Sequence, residues 1–337
     1  MSRRGVEAKP AWREVPADVR REAERVLRSR VVRAERVFGG YAPSATFRLR
    51  LANGRRAFFK GVNASSNDYM RWALGRERQV YTRLGKVLVP WAPRFHGAVR
   101  VADWHALLLE DLGPANLPPW TATKTRDATR SFAEFHEATV ADALPRWLPR
   151  RSQWGHFARH WYLLARERGA LAGLVALAGP RRRDARRWLE RALSSLRAAA
   201  EPLAQAPKPY ALLHLDIRSD NARLHGRVLR MFDWPNACVG PHEFDVAAFA
   251  QGVAAEGGPE PERCVAWYEE VLPMRGNVLD ASVAGIAGYF AERAWRPPVA
   301  GLPRLRSIQR RQLKAALAWA ARRLDLPEPA WLEAVPD

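Results

Sequence analysis

The sequence predicts an α+β protein with two lobes, an N-terminal antiparallel β-sheet with one helix and a larger, mostly helical C-terminal lobe. Three observations predict this fold class. Short β-rich runs with turn signals fill about the first third of the chain and enclose one helical pattern. The proline-rich stretch at 114–120 then interrupts the pattern. Helical periodicity dominates afterwards. We therefore place an N-terminal lobe at 1–112 and a C-terminal lobe at 113–337.

The N-terminal lobe begins with an amphipathic pattern at 17–30, which predicts a helix. Three β-rich runs follow within 31–62, and Asn53–Gly54 is typical of a hairpin turn. The remaining elements are a helix predicted at 68–84 and a hairpin predicted at 95–113, turning near Ala102–Asp103.

The C-terminal lobe contains a series of helical patterns and one β-rich block. The block covers 210–233 and contains a predicted hairpin that turns near His225–Gly226. The predicted helices cover 123–143, 153–169, 181–205, 243–256, 261–272, 278–295 and 304–324.

The formal net charge of +20 raises the possibility of a nucleic-acid partner. The basic residues are nearly all arginine, since only six are lysine. The densest basic run, at 179–197, has apolar residues at helical spacing. This pattern favours a solvated helix face over nucleic-acid binding. The sequence indicates no oligomeric state.

The chain has no window close to the ~20 uninterrupted apolar residues that a membrane helix needs, so we expect no membrane association. The N-terminal residues include acidic side chains and no apolar stretch, which argues against a secretory signal. The two cysteines, Cys238 and Cys264, lack the spacing of a disulfide framework or a zinc site. We expect a cytoplasmic protein.

The most informative motif is the stretch from His214 to Asn221, which has the pattern H-x-D-x-x-x-x-N. The predicted hairpin after it would bring Asn221 near Asp233, and their hard oxygen atoms suit Mg²⁺. Asp216 could then orient or deprotonate a hydroxyl that attacks a phosphate. A polar loop with local hydrogen bonds is the alternative interpretation. The aspartate twelve residues after Asn221 makes the pattern more specific than such a loop.

Lys60 and Glu77 are candidates for the part of such a site that binds phosphates. Lys60 lies on a predicted strand, and a strand-end lysine in water is the alternative. Glu77 lies on the next predicted helix, where its neighbours three and four residues away are all apolar. These neighbours cannot pair with a carboxylate as a cation would. We therefore favour an ion pair between Lys60 and Glu77.

The segment at 38–47 contains two consecutive glycines and Ser44 between two predicted strands. Such a loop could place backbone N–H groups and Ser44 over phosphates. It is not a complete G-x-G-x-x-G motif, and an ordinary glycine-containing turn is the equal alternative.

The order of these motifs resembles the aminoglycoside phosphotransferase and choline kinase-like family, whose members have a protein kinase-like fold. The resemblance covers residues 31–250. Its matching parts are Lys60, Glu77, LLLEDLG at 107–113, HLDIRSDN at 214–221, FDW at 232–234 and GPHEFDVAAF at 240–249.

The resemblance implies ATP and Mg²⁺ as the cofactors. It implies that Lys60, steadied by Glu77, contacts the α- and β-phosphates. Backbone groups from Glu110 to Leu112 would pair with adenine, and Asn221 and Asp233 would hold Mg²⁺.

The resemblance also implies roles in the second half of the chain. Asp216 would be the catalytic base, and His214 would be a scaffold for its loop. Asp245 would anchor that loop from a helix start, although a helix N-cap is the alternative. Arg218 could meet the transferring phosphate or could be a surface charge.

The resemblance implies an ATP-dependent O-phosphotransferase that moves the γ-phosphate of MgATP to a hydroxyl of a small molecule. The acceptor would be of the sugar, antibiotic or amino-alcohol type. Asp233 begins D-W-P where protein kinases have D-F-G, so we expect no mobile activation segment. The alternatives are a catalytically silent nucleotide-binding relative and a basic nucleic-acid-binding protein.

Overall fold

The computed structural model describes residues 9–38, 44–65, 67–140 and 144–337. The α-helices within these ranges are α1 Ala17–Leu27, α2 Asp68–Leu84, α3 Ala122–Thr139, α4 Arg151–Trp154, α5 His160–Arg166, α6 Ala170–Ala176, α7 Arg182–Ala200, α8 His242–Ala255, α9 Pro261–Glu269, α10 Gly276–Arg293 and α11 Leu305–Arg323. The strands are β1 Val31–Arg36, β2 Ala45–Leu51, β3 Arg56–Asn63, β4 Phe95–Val101, β5 Trp104–Leu109, β6 Ala211–Leu213, β7 Ala222–His225, β8 Val228–Met231 and β9 Cys238–Gly240.

The described residues divide into two compact units. The first takes the residues up to Asn116 together with Asp220–Asn236 and Ala300–Pro303, and the second takes the rest. The β7–β8 hairpin therefore packs with the N-terminal residues, although it is far from them in sequence. The lobe boundary that the sequence predicts after residue 112 stays a prediction.

The first unit contains a five-stranded antiparallel sheet in the order β1-β2-β3-β5-β4. The predicted turn at Asn53–Gly54 joins β2 to β3, and Gly54 has the positive φ of 80° that such a turn requires. Strands β4 and β5 form the predicted second hairpin, with Val101 opposite Trp104. The α+β fold class is confirmed, because a mostly helical second part follows this sheet.

One face of the sheet packs against α1 to form an apolar core. Alternate residues of β2 and β3, such as Phe47 and Phe59, point into this core and meet Val19 and Leu27 of α1. Successive side chains of a strand point to opposite faces. Lys60 therefore points to the other face of the sheet.

The second unit is built around α10, which packs against α5, α7, α8 and α11. The helix is buried along most of its length. Gly288 lets Trp161 approach closely, since a Cβ atom there would lie 2.8 Å from the indole Cδ1. The Trp161 Nε1 donates a hydrogen bond to the Ala284 carbonyl over 2.8 Å. These contacts fix how α10 packs against α5.

The sequence-based prediction of one helix over 153–169 is wrong. The structure has the short α4, a 3-10 helix at Gly155–Arg159 and then α5. Helix α5 ends where Glu167 becomes extended, and Gly169 follows with φ of 82°. The α6 helix and the β6–β9 pair were not predicted. Within the described ranges, no helix has both the length and the apolar character needed to cross a membrane.

Candidate active site

The side chain of Lys60 lies at the centre of a buried charge cluster in the first unit. Lys60 sits on β3 between Thr46 of β2 and Leu107 of β5. Its Nζ atom lies 2.7 Å from Oε2 of Glu77 and 2.7 Å from Oδ1 of Asp233. The ion pair with Glu77 expected from the sequence is therefore present. The second partner, Asp233, was not expected for Lys60.

Glu77 is held on the buried face of α2, and its side chain is 1% exposed. The helix begins at the N-cap Asn67, whose side chain accepts a hydrogen bond from the Met70 amide. The second oxygen of the Glu77 carboxylate, Oε1, accepts from the Asp233 amide over 3.1 Å. Glu77 therefore fixes both the lysine and the backbone of the residue that would bind a metal.

The electrostatics of the cluster favour a charged lysine. Burial lowers the pKa of Lys60, but the Asp233 and Glu77 carboxylates outweigh this effect and the pKa is raised. Burial raises the pKa of Glu77, although Lys60 opposes this shift. The ammonium group is thus a permanent cation, as a group that binds phosphate oxygens should be.

Asn221 and Asp233 stand at the two ends of the β7–β8 hairpin. Ala222 pairs with Met231, and the Phe232 amide donates to the Asn221 carbonyl over 2.9 Å. Asp233 has a positive φ of 68°. The sequence-based expectation that the hairpin brings these two positions together is correct.

Asn221 and Asp233 fit a Mg²⁺ site by their chemistry. Mg²⁺ prefers oxygen ligands and is usually held by one or two carboxylates together with water and substrate phosphates. A carboxamide and a carboxylate supply two such oxygens. Among the described residues, no group of three or more His, Cys, Asp or Glu side chains could hold a metal. The ligand chemistry of Asn221 and Asp233 is what makes this pair a candidate position.

The segment after β5, residues 110–112, makes hydrogen bonds to the β7–β8 hairpin. The Glu110 carboxylate accepts from Arg230 Nη2 over 2.7 Å and from the Arg94 amide over 3.0 Å. Burial opposes ionisation of Glu110, but these two donors prevail and its pKa is lowered. The Leu112 carbonyl lies 2.9 Å from Nε2 of His225.

The backbone groups of this segment differ in whether another backbone group already binds them. The Glu110 amide donates to the Arg94 carbonyl over 2.8 Å, so it is used internally. The Glu110 carbonyl and the Leu112 amide make no backbone hydrogen bond to any described residue. One acceptor and one donor separated by two residues match the two polar groups along one edge of adenine.

Asn116 binds the backbone of β7, the first strand of the β7–β8 hairpin. Its side-chain nitrogen donates to the Leu224 carbonyl over 2.6 Å, and its oxygen accepts from the Leu224 amide over 3.1 Å. This two-point contact imitates a β-bridge. It holds the hairpin that carries Asn221 and Asp233.

Ser44 is buried immediately before β2. Residues 39–43, which include the two consecutive glycines, lie outside the described residues. The proposed phosphate-covering role of this loop stays a prediction.

In the second unit, Asp245 holds the loop that contains Asp216. Its Oδ2 accepts from the His214 amide over 2.6 Å, and its Oδ1 accepts from the Leu215 amide over 2.8 Å. Leu215 has a positive φ of 65°, which turns the chain before Asp216. The sequence-based expectation that Asp245 anchors this loop agrees with the geometry. His214 is fully buried, and its Nδ1 accepts from the Asp216 amide over 3.3 Å.

Two buried side chains extend this network and were missed by the sequence analysis. His136 of α3 lies with Nε2 3.4 Å from Oδ2 of Asp245 and Nδ1 2.8 Å from the Tyr268 hydroxyl. No local sequence pattern signals these contacts, because the three residues are each separated by more than twenty positions.

Asp216 and Arg218 form an ion pair in the same loop. Arg218 Nη1 lies 2.6 Å from Oδ1 of Asp216, and about a third of each side chain is exposed. Arg218 is therefore neither an isolated surface charge nor fully buried. The role of Arg218 toward a phosphate stays a prediction.

Neither a family model nor a curated protein matches the chain. Solved structures do match. A spectinomycin phosphotransferase in complex with ADP and spectinomycin has 12% identity and a TM-score of 0.55, over 86% of this chain and 94% of that one. An amicoumacin kinase in complex with AMP-PNP and Ca²⁺ has 10% identity and a TM-score of 0.52, over 84% and 87%. An aminoglycoside phosphotransferase from Alicyclobacillus acidocaldarius has 17% identity and a TM-score of 0.51, over 88% and 93%.

The chain therefore has a protein kinase-like fold, which it shares with these solved structures. This confirms the fold expected from the resemblance noted in the sequence.

Proposed function

We propose that the protein is an ATP-dependent O-phosphotransferase that moves the γ-phosphate of MgATP to a hydroxyl of a small molecule. The observation that carries this proposal is the buried cluster of Lys60, Glu77 and Asp233. A strand lysine held by a helix glutamate, with a metal-binding carboxylate beside them, is the arrangement that protein kinases use for phosphoryl transfer. The similar folds that bind ADP or AMP-PNP support it.

The first unit would bind the nucleotide. Lys60 would contact the α- and β-phosphate oxygens, and Glu77 would keep its ammonium group in place. Asn221 and Asp233 would hold Mg²⁺, which neutralises negative charge on the phosphates when bound. The Glu110 carbonyl and the Leu112 amide would pair with the adenine base.

The second unit would contain the catalytic base, Asp216. Asp216 would accept the proton of the acceptor hydroxyl as its oxygen forms a bond to the γ-phosphorus. The bond from that phosphorus to the bridging oxygen breaks at the same time, and ADP leaves with those electrons. Asp245 and His214 would hold Asp216 in position. Arg218 would stabilise charge on the transferring group.

The acceptor class is part of the proposal. Relatives of the same fold in the comparisons bind spectinomycin and amicoumacin, which supports a hydroxylated small molecule. We propose the cytoplasm as the compartment, since it supplies the ATP that the reaction consumes.

Calorimetric titration with a non-hydrolysable ATP analogue, with and without Mg²⁺, tests nucleotide binding. We expect Mg²⁺-dependent binding that is lost in Asp233→Ala. Asp68→Ala is the matched control, because Asp68 is an exposed aspartate of the same unit whose carboxylate pairs with Arg71. Absence of binding in the folded wild-type protein would overturn the proposal.

The base is tested separately. In Asp216→Ala, binding of the analogue should persist, whereas transfer to an acceptor should slow by ~10²–10⁴-fold. Normal turnover by this variant would remove Asp216 from the catalytic role.

A further inference from the structure

Helix α8 contacts the loop that carries Asp216, residues 214–219, at a second point beyond Asp245. Glu256 directly follows the last residue of the helix, and its Oε1 atom accepts a hydrogen bond from the Ser219 hydroxyl over 2.7 Å. Ser219 lies three residues after Asp216 and is buried. Asp245 binds the two amides that precede Asp216. Two acidic side chains from α8 therefore bind the loop on both sides of Asp216.

The other oxygen of the Glu256 carboxylate is also bound. Its Oε2 atom accepts from the indole Nε1 of Trp120 over 2.6 Å. The Trp120 ring packs edge-on against Phe249 of α8, with ring centroids 5.7 Å apart. A Cβ atom at Gly258 would lie 2.7 Å from the Trp120 Cβ, so this close approach requires glycine. The carboxylate that binds Ser219 is therefore itself held by a buried, packed indole.

The backbone of Glu256 is fixed by the way in which α8 ends. The Gly257 amide donates to the Ala254 carbonyl over 3.0 Å, and the Gly258 amide donates to the Val253 carbonyl over 2.9 Å. Gly257 has a positive φ of 77°. These contacts form a Schellman motif, which ends a helix at a glycine. A shift of Glu256 would therefore disrupt the end of the helix.

The position of Glu256 is unfavourable for the helix alone. The C-terminal end of a helix carries partial negative charge, which destabilises an acidic side chain there. The hydrogen bonds from Ser219 and Trp120 offset this effect, because hydrogen bonds to an ionised acceptor are stronger than those between neutral groups. The contact with the loop therefore explains this carboxylate better than the stability of α8 does.

We propose that Glu256 is a positioning residue for Asp216, which it holds in place through the Ser219 hydroxyl. The inference rests on the proposed function, since it assumes that Asp216 accepts a proton. Asp245 fixes the backbone before Asp216, and Glu256 fixes a side chain after it. Loss of the second contact should therefore leave the loop ordered at one end only.

Backbone hydrogen exchange, followed by mass spectrometry, measures the order of the loop without any acceptor. In Ser219→Ala, the amides of residues 214–219 should exchange about tenfold faster or more, the factor expected when a hydrogen bond to a charged group is lost. Helices α7 and α10 of the same unit should exchange as in the wild-type protein. Ser282→Ala is the matched control, because the Ser282 hydroxyl is also buried and donates over 2.7 Å to the Val278 carbonyl of its own helix. The control should leave exchange of the loop unchanged.

Turnover is followed as hydrolysis of MgATP, in which water replaces the acceptor. The water oxygen forms the bond to the γ-phosphorus and gives a proton to Asp216 as ADP leaves. Ser219→Ala and Glu256→Ala should each lower kcat by about tenfold or more, since a displacement of ~1 Å can cost ~10²-fold. The double variant should lose no more than either single variant, because both remove the same contact. The KM for ATP should change little.

Unchanged exchange of residues 214–219 in Ser219→Ala would overturn the inference, as would faster exchange spread evenly over the second unit. An equal loss of kcat in Ser282→Ala, or additive losses in the double variant, would do the same. Exchange alone decides where hydrolysis is too slow to measure. Absence of Mg²⁺-dependent binding of the ATP analogue by the wild-type protein is the separate result that contradicts the proposed function.

Discussion

The Nζ atom of Lys60 lies 2.7 Å from Oδ1 of Asp233, although the two residues are 173 positions apart in the chain. The same atom is equally close to Glu77, whose other oxygen accepts from the Asp233 amide. One buried cation and one buried carboxylate therefore fix both the side chain and the backbone of Asp233. Changes to this cluster should affect stability and nucleotide binding together.

Replacement of Lys60 with methionine should destabilise the protein and weaken nucleotide binding. Glu77 would lose its cation while buried, which costs about 3–5 kcal/mol when one partner of a buried pair is removed. MgATP affinity should fall by about tenfold or more, because a charge-assisted hydrogen bond is lost. Denaturant unfolding and calorimetry measure the two effects.

The double variant Lys60→Met/Glu77→Gln separates these effects. A neutral amide removes the uncompensated charge and still offers an oxygen to the Asp233 amide, so about 1–3 kcal/mol of stability should return. MgATP affinity should stay low. Recovery of wild-type affinity in the double variant would show that Lys60 does not bind the phosphates.

Asp245→Asn should slow turnover more than it weakens nucleotide binding. An amide cannot accept from the His214 and Leu215 amides with two equivalent oxygens, so the loop carrying Asp216 should shift. We expect kcat to fall by about tenfold or more, since a displacement of ~1 Å can cost ~10²-fold. Steady-state kinetics and ATP-analogue binding measure the two quantities.

Tyr268→Phe is the control for that prediction. It removes only the hydroxyl at the far side of His136 and should cost about 1 kcal/mol of stability with a small change in kcat. If Tyr268→Phe and Asp245→Asn lower kcat equally, the direct contact of Asp245 with the loop is not what positions Asp216.

Asn116→Ala should weaken the Mg²⁺-dependent part of ATP binding. The Leu224 amide and carbonyl would lose their side-chain partners, which costs about 1–3 kcal/mol and loosens the hairpin between Asn221 and Asp233. Asn116→Asp keeps the acceptor and loses the donor, so its effect should be intermediate. Titrations at several Mg²⁺ concentrations measure this, and an unchanged Mg²⁺ dependence in Asn116→Ala would contradict the prediction.

Stability should fall between about pH 6.5 and pH 4. Burial lowers the pKa of His242 to about 4 and that of His160 to about 3, from an ordinary value of 6.5. The unfolded chain therefore binds protons in this range that the folded chain does not. The stability is fully present above pH 6.5 and is lost as the pH falls toward the folded pKa values. Each histidine contributes a slope of about 1.4 kcal/mol per pH unit at most.

His160→Phe tests this origin of the pH dependence. Neither ring nitrogen of His160 has a hydrogen-bond partner among the described residues, so a phenyl ring should be tolerated at pH 7. The variant should lose less stability than the wild-type protein between pH 6.5 and pH 4. An identical loss in both proteins, measured by denaturant unfolding, would exclude His160 as a source.

The parts of the site that could be predicted are marked by patterns of residues that lie close together in the sequence. Glu77 was recognisable because its helix neighbours are apolar, and the structure confirms that these neighbours are buried with it. The hairpin joining Asn221 to Asp233 was recognisable because two short β-rich runs flank a glycine turn. In both cases the relevant residues are within about a dozen positions of each other.

Other features depend on contacts that no local pattern records. Strands β6 and β9 have only three residues each and are separated by 24 residues of sequence. Their pairing therefore depends on tertiary packing and not on a local turn. The His136 ring contacts Asp245 and Tyr268, which lie more than 100 positions away. Tertiary packing, not helix or strand propensity, determines such positions.

The environment of Lys60 also determines how it should react with chemical reagents. Only an unprotonated amine attacks an electrophile, and the two carboxylates raise the pKa of this one. A general amine-reactive reagent should therefore modify exposed lysines such as Lys86 and leave Lys60 intact in the folded protein. With only six lysines in the chain, mass spectrometry of the digested protein would resolve every site of modification.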